Sequence, residues 1–139
     1  MLRYRYDALH AFAVRVLSPP ATDADVDEYV ACIKTLDAVG ANREGSALVM
    51  ILEAGYPLPN AEGRKRGVDA RKDMKSKPVV AVVTTSPLLR AAIGAARWIS
   101  PPPFEQGVVA TFEEAVAFIE SKRGSTMRVL QRLYDDCKS

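Results

Sequence analysis

Two short apolar runs mark the middle of the chain. Ala47–Leu52 reads ALVMIL and Val79–Val83 reads VVAVV, each bounded by polar or turn-forming residues. Runs of this length without polar alternation predict strands buried on both faces. Such strands belong to a parallel sheet with helices on both sides. Upstream the pattern changes to alternation. Residues 2–6 alternate apolar and basic side chains. Residues 9–17 place Leu9, Ala11, Ala13 and the Val16-Leu17 end on apolar positions, with His10, Phe12 and Arg15 between them. Two alternating stretches separated by Asp7-Ala8 predict a hairpin, and Pro19-Pro20 ends its second strand.

Helical periodicity fills the intervals. From Thr22 or Asp23, the positions Val26, Tyr29, Val30, Ile33 and Leu36 recur at three- and four-residue spacing and form one stripe. Asp23, Asp25, Asp27 and Glu28 load the first turns with negative charge, which suits the helix dipole, and Gly40 is a fitting stop. A basic helix over residues 60–75 links the two apolar strands. Ser86 caps a third helix, with Pro87 at its first position, running to about Ile99. Pro101-Pro102-Pro103 is a stiff connector. Residues 107–110 form a short strand, and Thr111-Phe112-Glu113-Glu114 is a capping box that opens a helix ending near Lys122. A last helix runs from Thr126 to about Asp136. The predicted order is ββαβαβαβα plus a C-terminal amphipathic helix, with residues 1–124 as one α/β domain and 125–139 as the appended helix.

Composition narrows the function classes. The 139 residues carry 19 Lys and Arg against 17 Asp and Glu, a net +2, which does not suggest a dedicated nucleic-acid binder. No run approaches the ~20 apolar residues of a membrane span, and the N-terminal stretch is not a signal peptide. The expectation is a cytoplasmic protein. Cys32 falls on a helical stripe and Cys137 near the end, without metal spacing, so a reduced structural role is expected for both. No cofactor motif is present. Gly63 and Gly67 fall on the basic helix and match neither a P-loop nor a dinucleotide fingerprint. His10 is the only histidine, and no nucleophile elbow accompanies it.

The terminal strand–helix segment, from Val108-Val109-Ala110-Thr111-Phe112-Glu113-Glu114-Ala115 through Phe118-Ile119, resembles the close of STAS-type domains. More narrowly it resembles the SpoIIAA-like small bacterial proteins. The segment from Val79 to Arg90, a buried strand running into a Thr/Ser-capped helix, is similar too. The resemblance covers residues 1–122. It implies a STAS-like mixed sheet and a non-enzymatic module that binds proteins or small molecules. Antagonists of that family carry a phosphorylatable serine after the middle strand. Residues 53–60 here read EAGYPLPN, with neither serine nor threonine, so that switch is not carried over.

Three sites invite function. Thr84, Thr85, Ser86 and Arg90 lie at a strand's carboxyl end and a helix N-terminus, a ready anion site, with Glu53 and Tyr56 on the neighbouring strand's edge. Helix capping alone also accounts for Ser86 and Pro87. Arg64, Lys65, Arg66 and Arg71 lead a basic stretch. Residues 62–77 carry seven positive and three negative charges, whereas residues 18–44 carry two positive and six negative. Such asymmetry could steer an acidic protein partner or a second copy, and a solvated helix face is the plain alternative. Met127, Leu130, Tyr134 and Cys137 form a three-four-three seam, open to a partner, a homodimer or the domain itself. Trp98 reads either as core filler or as an exposed contact. Glu53, ending a buried strand, is a conceivable general base with a raised pKa.

Overall fold

The computed structural model describes residues 2–7, 12–40, 46–57, 60–72, 74, 78–99, 101–102, 104–123 and 127–138. Among these residues, five strands and five helices follow the predicted order. They are β1 (Leu2–Asp7), β2 (Phe12–Leu17), α1 (Asp23–Gly40), β3 (Ala47–Leu52), α2 (Ala61–Lys72), β4 (Val79–Val83), α3 (Pro87–Ile99), β5 (Gln106–Val109), α4 (Phe112–Arg123) and α5 (Met127–Lys138). His10 lies outside the described residues.

The strands form one sheet in the order β1-β2-β3-β4-β5. β1 runs antiparallel to β2, pairing Leu2 with Leu17 and Asp7 with Phe12. The other three pairings are parallel. Three crossovers therefore advance one strand at a time in the same direction. Right-handed crossovers then place α1, α2 and α3 on one face of the sheet. Cys32, Ile33 and Leu36 of α1, Ala70 of α2 and Ile93 of α3 do pack with Ala13, Leu48, Val80 and Val82. After β5 the chain changes face. α4 lies back over β4 and β5, and α5 over β1 and β2. Phe112, Ala115, Val116, Ile119, Leu130, Leu133 and Cys137 meet Phe12, Val14, Val16, Val49 and Ala81 there.

Two expectations need correction. The second strand was expected to bury Ala13 and leave Phe12 and Arg15 on the polar face, but all of β2 is buried. Phe12, Val14 and Val16 face α4 and α5, while Ala13 and Arg15 face the α1 layer, because β2 sits between two paired strands with helices on both sides. Of the alternatives open to the terminal helix, docking on the domain's own sheet is the one seen, and this corrects the assignment of its stripe to a partner. Leu130 is fully buried in the domain's own core, so it is not a partner-binding residue, and Tyr134 stacks on Phe112 with ring centroids 4.2 Å apart. The side chain of Met127 lies outside the described residues.

The two layers differ in how firmly they are held. α4 and α5 each insert several buried side chains. On the opposite face α1 buries Cys32, Ile33 and Leu36, α3 buries Leu89 alone, and α2 buries nothing.

Candidate functional site

An open α/β sheet places its ligands at the carboxyl ends of its parallel strands. At the end of β4, Thr84 is buried and its backbone N–H donates to the Val109 carbonyl at 2.9 Å. Its Oγ1 accepts the Ser86 N–H at 3.1 Å, and Ser86 Oγ accepts the Leu89 N–H at 3.2 Å. Pro87 has no N–H to offer. The donors that would cradle an anion at the start of α3 are thus largely consumed by capping. Arg90 turns its Nε back to the Thr84 carbonyl at 3.4 Å, and Thr85 is exposed. The segment is a well-capped helix start.

Glu53 and Tyr56 do not join it. Glu53 and Tyr56 bracket a turn closed by Tyr56 N–H to Glu53 C=O at 3.0 Å, with Gly55 at φ +83° as a type II turn requires. The turn sends both side chains toward β1, β2 and α1. The Glu53 carboxylate accepts from the Arg3 guanidinium and from Ser18 Oγ, the latter at 3.0 Å. Its side chain is 41% exposed, so the burial that a general-base role demanded is missing. Tyr56 Oη donates to Asp25 Oδ2 at 2.7 Å, while Thr22 donates its N–H and hydroxyl to the same carboxylate, each at 3.2 Å. Burial pushes the Asp25 carboxyl up, but these three donors outweigh it and hold it below the usual carboxylate value. A group with a depressed folded pKa stabilises the fold above its unfolded value, near pH 4, and loses that contribution as pH falls through the folded value. Tyr56→Phe is therefore expected to cost about 1.5–3 kcal/mol at pH 7, by the scale of hydrogen bonds to charged groups. Urea melts should show the gap to wild type closing below about pH 4.

Beneath that turn is a residue that sequence reading passed over. Arg15 points from β2 into the α1 layer and is 1% exposed. Its Nη2 donates to the Asp25 backbone carbonyl at 3.3 Å, and its guanidinium carbon lies 5.2 Å from the centre of the Tyr29 ring. Nε and Nη1 have no hydrogen-bond partner among the described residues. Burial pulls the guanidinium below its ordinary pKa, and the polar groups around it are Cys32, Tyr29, Tyr56 and Tyr4. Burial likewise raises the Tyr4 and Tyr29 phenols and the Cys32 thiol, so all three hold their protons. The available signal was one arginine inside the otherwise apolar string AFAVRVL, where a lone charge on a two-sided strand needs a reason.

The basic stretch has a partner within the molecule. α1 and α2 pack side by side, which sets the acidic helix against the basic one, and Arg66 is ion-paired to Asp27. The two charge blocks therefore adjoin. Arg64 and Lys65 are exposed and Arg71 is half-buried beside the Tyr29 phenol. Both cysteines are buried and unpaired with each other, with the Cys137 thiol also pushed up by burial.

α3 is the surface feature that stands out. Leu88 is 71% exposed, Ile99 86% and Trp98 90%. On a helical projection these three share an arc with Ala91 and Ala95, while Leu89 and Ile93 point to the sheet. Gly94 also faces open space, with nothing within 4 Å of where a Cβ would be. Arg90 and Arg97 lie one above the other, roughly 80–100° round the helix from Trp98, between Gly94 and the sheet-facing Ile93.

No family model matches the chain, and no curated protein or solved structure was found that matches it. Among the described residues there is no cluster of three or more His, Cys, Asp or Glu able to hold a metal, and no helix long and apolar enough to cross a membrane.

Proposed function

We propose that the chain is a non-enzymatic, STAS-like protein-interaction module, and that its docking face is the outward side of α3. The exposure of Leu88, Trp98 and Ile99 carries this reading. Trp98 alone presents on the order of 200 Å² of mostly apolar surface, and large exposed apolar patches mark interaction sites. The element order and the antiparallel edge strand of the sheet are in keeping with a STAS-like fold.

The occupant is an amphipathic helix of a partner chain with acidic residues along one edge. Ala91, Gly94 and Ala95 keep the centre of α3 low enough for a second helix to approach closely. Gly94 costs about 1 kcal/mol against alanine in a helix interior, and nothing within the fold requires it. Arg90 and Arg97 supply positive charge, and α3 has no acidic residue. A second copy packed antiparallel on α3 would bring arginine against arginine, so an acidic flank on another chain fits better. This places the acidic partner on α3 and leaves the basic α2 paired with α1.

Trp98 is the only tryptophan, so its emission reports docking directly. A helical peptide with a leucine stripe and a glutamate flank is expected to shift that emission to the blue, more weakly at high salt. The same stripe with a lysine flank should bind at least ~10-fold less well. Leu88→Ser and Ile99→Ser should each weaken the complex ~10-fold or more without lowering the melting temperature of the free protein. Equal binding of both peptides, or a blue shift that grows with protein concentration alone, would overturn the reading, the latter in favour of a homodimer.

A further inference from the structure

We propose that Arg15 anchors a binding site for a small molecule bearing a carboxylate on an apolar body, set between β2 and the α1–α2 layer. This rests on the interior of the fold and is independent of docking on α3. The guanidinium has five N–H bonds, one on Nε and two on each Nη. One Nη2 bond goes to the Asp25 carbonyl, while the three on Nε and Nη1 find no acceptor among the described residues. A buried cation in that condition is costly, and native proteins pair such groups with an opposite charge. Asp25, whose carbonyl Arg15 bonds, does not supply its carboxylate. It turns its side chain to Tyr56 and Thr22 and meets Arg15 through its backbone oxygen. The counter-charge is therefore expected from outside the chain.

The surroundings define the ligand's chemistry. The groups ranged about Arg15 are the phenols of Tyr4, Tyr29 and Tyr56 and the Cys32 thiol. With their protons held by burial, they are neutral hydrogen-bonding groups. The anion beside them, the Asp25 carboxylate, is already engaged by Tyr56 and Thr22, and the free N–H bonds of one guanidinium match the two oxygens of one further carboxylate. A phosphate dianion would bury a second, unmatched charge. Met50 pairs with Arg15 in the sheet register, and Met50 and Leu52 are half-buried on the same face, which offers an apolar wall for the ligand's body. Access is cheap on this side. The Tyr29 ring lies over the guanidinium and faces Gly67 of α2, 3.5 Å from that residue's Cβ position. α2 in turn has no buried residue holding it down.

The test uses the full chain, freed of small molecules and titrated separately with octanoate and inorganic phosphate. Octanoate is expected to bind one-to-one by calorimetry, to raise the melting temperature, and to shift the arginine Nε–Hε signal of Arg15 in a ¹⁵N-labelled sample. Arg15→Met should leave the empty protein as stable as wild type or more so, and abolish the octanoate response. Should that variant not fold, Arg15→Lys keeps the charge but loses the planar N–H set and should bind ~10–100-fold more weakly, on the scale of charged hydrogen bonds. Three results would overturn the proposal. They are no saturable response to octanoate in wild type, an equal response in the folded variant, or tighter binding of phosphate than of octanoate. The first would mean that only solvent satisfies Arg15.

Discussion

A chain cut after Arg123 is expected not to fold, rather than to become a domain lacking one accessory helix. α5 contributes Leu130, Leu133 and Cys137 to the core under β1 and β2, each less than 5% exposed. Burying a leucine side chain is worth about 1.5–3 kcal/mol, so the two leucines alone account for about 3–6 kcal/mol. The whole fold of a small domain is held by only about 5–15 kcal/mol. Removing α5 also takes away the stack of Tyr134 on Phe112, the Arg3 bond to the Cys137 carbonyl at 3.2 Å, and the ion pair between Arg132 and Asp7. It would further expose the Phe12, Val14 and Val16 side chains that α5 covers. Far-UV circular dichroism and a thermal melt decide the matter. A truncated chain with a cooperative melt near that of wild type would show the helix to be dispensable.

The second large effect is expected at Leu36. This side chain is 0% exposed and, with Ile33 and Cys32, attaches α1 to the sheet. Leu36→Ala should cost about 2–5 kcal/mol, the usual range for a leucine cavity in a core that cannot collapse. Its consequence should spread unevenly. α2 packs on α1 and buries nothing of its own, so loosening α1 loosens α2 with it. Hydrogen exchange should show protection lost first across Ala61–Lys72 and retained in β3, β4 and α4. Uniform loss across all five helices would mean that the two layers are equally coupled to the sheet.

Much of the architecture was legible because local chemistry and global placement agree. ALVMIL and VVAVV have no polar position to present to water, and both became inner strands. Ser86 caps α3 through the Leu89 N–H, and Thr111 caps α4 through the Glu114 N–H at 3.1 Å, as their spacing implied. The functional side was far less legible. A three-four-three stripe such as that of α5 says that one face is covered, but not by what. α3 left its question open, with Trp98 readable as core filler or as an exposed contact. Leu88, Ala91, Ala95, Trp98 and Ile99 have the composition of a buried helix, and only the three-dimensional placement leaves them facing outward. Arg15 entered only as a position between the apolar ones of an alternating strand. The pairing of β2 with both β1 and β3 leaves it no solvent side. Glu53 and Tyr56 follow one strand in sequence, yet Gly55 turns them away from the neighbouring strand's end, which a linear reading cannot show.

The lid that α5 forms over β1 and β2 also sets an order of events during synthesis. Residues 18–126 separate β2 from α5, so the hairpin leaves the ribosome well before its cover does. At roughly 5–20 residues per second, the interval is on the order of ten seconds. Throughout it the newborn hairpin holds Phe12, Val14 and Val16 open to whatever apolar surface is nearby. Any factor that shields nascent chains would meet this protein at that face, in a window that closes only when Leu130 and Leu133 arrive.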